Sequence, residues 1–340
     1  MTRRPHLKQL AAALIACAVL SMPAMAEIRE FKLKAGTTLP DDHPITQGAK
    51  KFAELVESKS GKKIQVKVYG SASLGNEIQM QSALQGGTQD FSIATTTTLV
   101  GMVKEYSMLD MPYMFRTATE VDAILDGAIG KQLFSLLSPK GFVGLNYMEQ
   151  GFRHTTNSRR PIARWEDFKG LKIRVQPSAF YVDMFNGLGA NAVPMTINEV
   201  YTAMETKAID GHENSLAAVN SNRFQEVQKY LSLTGHSYNA VALLMSRKTW
   251  DRMNDDERKV ISEAAAEAAV FERGVSRTLN NSLLDKLKKD GMQVNEVTPA
   301  EKQRLAEQLQ PVVDKYAGII GGDWMQRMGQ ELSRLRGSAK

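Results

Sequence analysis

Three stretches concentrate side chains that can bind or react. Gly151-Phe152-Arg153-His154-Thr155-Thr156-Asn157-Ser158-Arg159 carries two guanidinium groups among hydroxyls and amides. Leu171-Lys172-Ile173-Arg174-Val175 alternates as a strand, with Leu171, Ile173 and Val175 on one face and Lys172 and Arg174 on the other. Ile209-Asp210-Gly211-His212-Glu213-Asn214 ends in a side chain that both donates and accepts hydrogen bonds. Arg174 presents a planar fork that can meet a carboxylate through two bonds, where lysine offers a point charge. The plainer reading of an arginine on the polar face of a strand is a solvated or structural ion pair. Arg153 has the same two readings, with Asp167 as a structural partner. Asn214 either faces a ligand or caps a helix starting near Ser215. His212-Glu213 has the composition of an acid/base pair, but a hydrogen-bonded turn histidine is the simpler reading.

Motifs of catalysis and metal binding are missing. There is no Gly-rich phosphate loop, no His-Glu-x-x-His and no Gly-x-Ser-x-Gly. The five histidines, His6, His43, His154, His212 and His236, are scattered. The single cysteine is Cys17. No enzyme activity, metal or cofactor is expected.

The elements that must position these residues follow from periodicity. Strands are expected at Ile28 to Leu33, Ile64 to Tyr69 and Phe91 to Ala94. Between them, helices carry Ala49, Phe52, Ala53 and Val56, then Met80 and Leu84. Strand, helix, strand, helix, strand is the pattern of a parallel α/β sheet. A second set contains strands at Phe142 to Tyr147 and Leu171 to Val175. Its helices run through Phe180, Met184 and Leu188, and then from Thr196, with Glu199 at capping-box spacing. From Asn254 the pattern stays helical to Gly291, roughly 50 Å at 1.5 Å per residue. A helix of that length exceeds one small domain and is expected to cross two lobes.

The first 26 residues read as a secretory signal: Arg3, Arg4 and Lys8, an apolar run from Leu10 to Met22, and cleavage after Ala24-Met25-Ala26. The run is too short for a membrane anchor, which needs roughly 20 apolar residues. Leu14-Ile15-Ala16-Cys17 is a loose lipobox, set aside because cutting there leaves an apolar N-terminus. Export to the periplasm and a mature chain without cysteine are expected. The formal net charge of +6 falls to +3 without the three basic signal residues, which argues against a nucleic-acid partner. With no long apolar face evident, the chain is expected to be a monomer.

The order of several further motifs carries a resemblance. They are Ser60-Gly61-Lys62, Ser73-Leu74-Gly75-Asn76, Gly87-x-x-Asp90, Leu109-Asp110-Met111-Pro112-Tyr113, Gly189-Ala190 to Pro194, and Phe224-Gln225-Glu226-Val227-Gln228-Lys229-Tyr230. Together with the three stretches above, the second extended back through Asp167-Phe168-Lys169-Gly170 and the third joined by Asn198-Glu199-Val200-Tyr201, they resemble the solute-binding proteins of tripartite ATP-independent periplasmic (TRAP) transporters, the DctP-like family, over nearly the whole mature chain. The resemblance implies a two-lobed α/β fold of the periplasmic-binding-protein type, hinged at a cleft and spanned by a long helix. The expected lobes are 27–151 plus about 240–279, and 152–239 plus about 280–340. It implies a carboxylate ligand paired with Arg174 and assisted by Arg153 and Asn214. Contacts from the first lobe are expected from Asn76, Thr95 and His43, and TRAP membrane permease subunits are the expected partner.

Ligand class follows from departures within that resemblance. Sialic-acid-binding members carry an acid in a Phe-x-x-Ala-Glu-Ser stretch; here Phe91-Ser92-Ile93-Ala94-Thr95-Thr96 has threonine. Those members also have an aromatic where Ile197 stands. The run Thr95-Thr96-Thr97-Thr98 offers hydroxyls, and Thr156 to Pro161 looks like members that take sugar acids. A uronate or aldonate is expected, with a C4-dicarboxylate next. The rival readings are a periplasmic sugar-acid enzyme and a sensor subunit serving a signalling system.

Overall fold

The computed structural model describes residues 27–337. The expected signal segment, residues 1–26 with Cys17, lies outside them. Nine strands among the described residues join in one sheet: β1 Phe31–Thr37, β2 Ile64–Tyr69, β3 Phe91–Thr95, β4 Phe142–Asn157, β5 Lys172–Val175, β6 Asn191–Pro194, β7 Gly211–Asn214, β8 Tyr230–Ser246 and β9 Gln293–Glu296. Their order is β2-β1-β3-β8-β4-β7-β5-β6, with β9 beside β8.

Each end of the sheet is parallel, as the strand-helix alternation predicts. β1 pairs in parallel with β2 and β3, and β5 with β6 and β7. The middle is antiparallel: β8 against β3 and β4, and β4 against β7. Three expectations change accordingly. The first strand starts at Phe31 rather than Ile28. β4 runs ten residues beyond Tyr147. β8, seventeen residues long, is a major strand that periodicity did not reveal. Its side chains are buried on both faces from His236 to Ser246, so the apolar-polar alternation that marks a half-exposed strand is lacking.

β4 and β8 are sixteen and seventeen residues long, and their pairing is interrupted. The register shifts between Gly144 and Asn146, between Glu149 and Gly151, and between Arg153 and Thr155. Gly151 takes a positive φ of 94°, which a side chain would disfavour. Bulges bend a strand and re-aim its side chains. Arg153 therefore sits between two such irregularities.

A 35-residue helix, Asp255–Lys289, lies across the sheet. Asn254 caps it: its side chain accepts from Glu257 N, while Glu257 accepts from Asn254 N. The first half buries Val260, Ile261, Ala264, Ala265, Ala268 and Ala269 with Phe52, Val56, Phe91 and Ile93. The far end places Leu287 with Val200, Met204, Ile209 and Phe224. Its alanine stripe allows close approach to helix Pro44–Lys59. A Cβ on Gly48 would stand 2.7 Å from Glu272 Cβ, so glycine is required there.

The last helices straddle the molecule. Tyr316 meets Phe180 edge-to-face at 4.8 Å, while Lys104 donates to Ile319 O at 2.6 Å and Arg336 pairs with Glu120 at 2.9 Å. No helix among the described residues is long and apolar enough to cross a membrane.

Candidate functional site

A cleft opens where the carboxyl ends of β3 and β5 face one another, the usual place for ligands in an open α/β sheet. The empty space in it is about 560 Å³, including the part open to solvent. Asn76, Glu77, Thr95 and Thr98 line one wall, and Arg174, Gln176, Thr196, Ile197 and Asn214 the other. Gln150 and Arg153 from β4 lie between them. The structure thus brings five of the six expected site residues to one cleft. His43 is the exception.

Arg174 is 3% exposed. Its Nε and Nη2 donate to Met195 O, at 2.8 and 2.5 Å. Among the described residues no carboxylate lies within ion-pair distance of it. Burial drives its pKa down to about 10, against the pull of Glu213, and the nearby Arg153 charge adds to the depression. A buried charge without a partner is costly. An anion in the cleft would supply the missing counter-charge.

Arg153 is different. Its guanidinium pairs with Glu213 through Nε, and Nη2 donates to Glu213 O at 2.7 Å and Oε1 at 2.8 Å. Nη1 donates to Asn214 Oδ1 at 3.1 Å and Asn239 Oδ1 at 3.2 Å. All five donors have acceptors. The structural partner is Glu213, not Asp167, which instead accepts from Ala163 N and Arg164 N. Burial would raise the Glu213 carboxyl, but the Arg153 charge and the His236 hydrogen bond hold it down at about 2. Arg153 is thus committed to the protein as it stands, and it fixes Asn214 beside the cleft.

His212 and Glu213 point to opposite faces of β7, so they form no acid/base pair. His212 Nδ1 bonds with Thr156 Oγ1 at 2.7 Å, and its ring packs edge-on against Phe224 at 4.5 Å. Asn214 is not a helix cap either. Ser215 is, accepting from Ala218 N. Asn214 Oδ1 accepts from Arg153 and from Ser215 N at 2.9 Å, while its amide hydrogens have no acceptor among the described residues.

On the opposite wall, Asn76 caps helix Glu77–Gly86 in a capping box with Gln79. The threonine run is less available than its composition implies. Thr95 Oγ1 donates to Glu77, Thr96 Oγ1 to Ala240 O, Thr97 Oγ1 to Asp110 and Thr98 Oγ1 to Thr95 O. These hydroxyls hold the wall and keep only acceptor capacity. Thr196 does not cap through its side chain; its hydroxyl donates to Glu199 Oε1 at 2.8 Å.

His43 is not among the cleft-lining residues. It is the N-cap of helix Pro44–Lys59, where Nδ1 accepts from Ile45 N at 3.1 Å. Burial lowers its pKa to about 3, so the ring is neutral.

Sequence reasoning missed Glu77, Gln150 and Gln176. Glu77 stands in the first turn of a helix, where an acid is explained by the helix dipole alone. Gln150 Oε1 and Gln176 Nε2 are buried, yet neither has a hydrogen-bond partner among the described residues. Buried polar atoms are normally satisfied. One acceptor and one donor thus stand unpaired beside the unpaired cation. No group of His, Cys, Asp and Glu side chains suited to holding a metal occurs among the described residues.

Two α/β lobes around a cationic, hydrogen-bonding cleft define a ligand-binding protein. The chain belongs to the bacterial extracellular solute-binding protein family 7, whose model matches residues 35–318. A TRAP periplasmic solute-binding protein from Ochrobactrum anthropi, solved with its C-terminus bound in the ligand-binding pocket, is 43% identical, with TM-score 0.83 over 92% of this chain and 98% of its own. The sugar-acid-binding protein DctPAm from Advenella mimigardefordensis, solved with galactonate, is 36% identical, with TM-score 0.88 over 90% and 99% of the two chains. The 2,3-diketo-L-gulonate-binding periplasmic protein YiaO from Escherichia coli is 33% identical over 77% of this chain and 79% of its own. All three are binding proteins.

Proposed function

We propose that this chain is the periplasmic receptor of a TRAP transporter, that it binds a sugar acid without transforming it, and that it delivers the acid to a membrane permease. The observation that carries this reading is Arg174: a buried guanidinium on a cleft wall with no carboxylate partner among the described residues. The free Gln150 acceptor and Gln176 donor add the capacity to read hydroxyls. The relatives bound to galactonate and named for 2,3-diketo-L-gulonate support a sugar acid.

In this mechanism the acid docks its carboxylate on Arg174, replacing solvent with a charge-assisted hydrogen bond. Asn214 donates from its amide. The ligand then touches the opposite wall at Asn76 and Glu77. Because those contacts exist only when the walls approach, they favour the closed form by differential affinity. The two lobes divide where β4 and β8 shift register near Gly151 and Asn239, with the last helices packed on both. The closed form is the one the permease receives.

A thermal-shift screen tests this on residues 27–340, unfolded and refolded to strip ligand. The panel is aldonates, uronates, sialic acid and C4-dicarboxylates. A ligand at 1,000 times its Kd adds about 4 kcal/mol to stability. A large shift with a sugar acid, lost in Arg174→Ala and unaccompanied by turnover, is expected. No shift with any acid overturns the reading.

A further inference from the structure

The cleft holds an acid as well as a cation. Glu77 opens helix Glu77–Gly86 and lines the same cavity as Arg174. Its Oε1 accepts from Thr95 N at 3.1 Å and its Oε2 from Thr95 Oγ1 at 2.8 Å. Each oxygen keeps a further lone pair. Among the described residues no Lys, Arg or His lies within ion-pair distance of it. Burial pushes the carboxyl up, while the Thr95 hydrogen bonds and the Arg174 and Arg153 charges pull it back. Glu77 is therefore a half-buried carboxyl group lining ligand space with acceptor capacity unspent.

That arrangement discriminates between acids. Arg153 and Glu213 neutralise one another, so the cleft chemistry rests on Arg174 and Glu77. A monocarboxylate fills Arg174 and can donate hydroxyl hydrogens to Glu77. A dicarboxylate brings a second negative charge beside Glu77, and juxtaposed like charges repel, most of all once the walls close and exclude water. We propose that Glu77 is a specificity-determining residue that selects polyhydroxylated monocarboxylates and rejects diacids. Gln150 Oε1 extends the same selection, because a lone acceptor suits a hydroxyl and not a second carboxylate. This inference rests on the proposed anion-receptor reading and narrows its ligand class.

Calorimetric titration of ligand-stripped protein with galactonate, galacturonate and galactarate tests it. Galactarate has the same six-carbon skeleton with a carboxylate at each end. The wild type is expected to bind the better monoacid at least about 100-fold tighter than galactarate, since juxtaposed like charges cost several kcal/mol. Glu77→Gln keeps an acceptor for Thr95 but loses the charge. It is expected to narrow that ratio at least about tenfold, weakening the monoacid and strengthening the diacid. An unchanged ratio in Glu77→Gln, or a wild type that prefers galactarate, overturns this inference and leaves the receptor reading intact. Binding of none of the three acids by the wild type, or binding undiminished in Arg174→Ala, overturns the receptor reading and this inference with it.

Discussion

Arg174 and Arg153 are both buried cations in one cleft, yet truncating them should have opposite consequences. Arg174 lacks a carboxylate partner, so Arg174→Ala removes a desolvated charge and leaves no new one. Its ligand-free melting temperature is expected to hold or rise, while affinity for the acid falls by about 2–5 kcal/mol. Arg153→Ala strands Glu213 in the interior. The expected loss is about 3–5 kcal/mol of folding stability, read by urea denaturation without ligand. The same pair sets an acid limit. Glu213 is held at about 2, below its ordinary 4.5, so its contribution is complete above pH 4.5 and is lost as pH falls toward 2. An acid titration of stability should lose that dependence in a double variant with both groups replaced by apolar ones. At this scale the sequence was legible for one residue and opaque for its neighbour. Arg174 on an alternating strand could be placed on the polar face. The Arg153–Glu213 pair joins residues sixty positions apart through β4 bulges that no local pattern announces.

The long helix carries a second buried titration. Glu272 accepts from Glu149 N at 2.8 Å, and its Oε1 has no partner among the described residues. Burial pushes its pKa up to about 8, and the Glu149 charge adds to this. The Glu149 N–H, Arg273 and Arg277 oppose the rise. A raised folded-state pKa means its stabilising effect is complete below the ordinary 4.5 and is lost as pH rises through about 8. Glu272→Gln, which keeps an acceptor for Glu149 N, is expected to gain stability over wild type at pH 9 and little at pH 5. Equal effects at both pH values in urea titrations would show that Glu272 does not titrate between them. The helix itself was readable from end to end, because Asn254, three acids and a lysine-rich last turn are local signals. β8 was not, because burial on both faces erases periodicity. The parallel ends of the sheet followed from alternating elements; the antiparallel centre depends on pairings between distant segments.

Taken whole, the molecule has two lobes joined by β4, β8 and the long helix, with helices from Gln310 onward resting on both sides. Closing the cleft should shorten it. Small-angle scattering is expected to show a smaller radius of gyration on adding the bound acid to wild type and no change with Arg174→Ala; equal radii in wild type with and without ligand would place closure elsewhere than in ligand capture. Lobes and long helix were foreseeable from family motifs and helix length. The positions of the C-terminal helices were not, since their contacts with Lys104, Glu120 and Phe180 span more than a hundred residues of chain.

The wiring of the first core has a temporal side. Phe52, Val56, Phe91 and Ile93 share their core with Val241, Leu243, Ile261 and Ala265. The closing partners are about 150 to 210 positions later in the chain. Contacts so distant slow folding, because the intervening loop must be closed before burial repays it. A ribosome making this protein will have produced more than three-quarters of it before Ala265 is available to the first core. Until those partners emerge, Phe52, Val56, Phe91 and Ile93 lack much of their native burial, so the first core is expected to be among the last parts of the molecule to gain protection from hydrogen exchange on refolding.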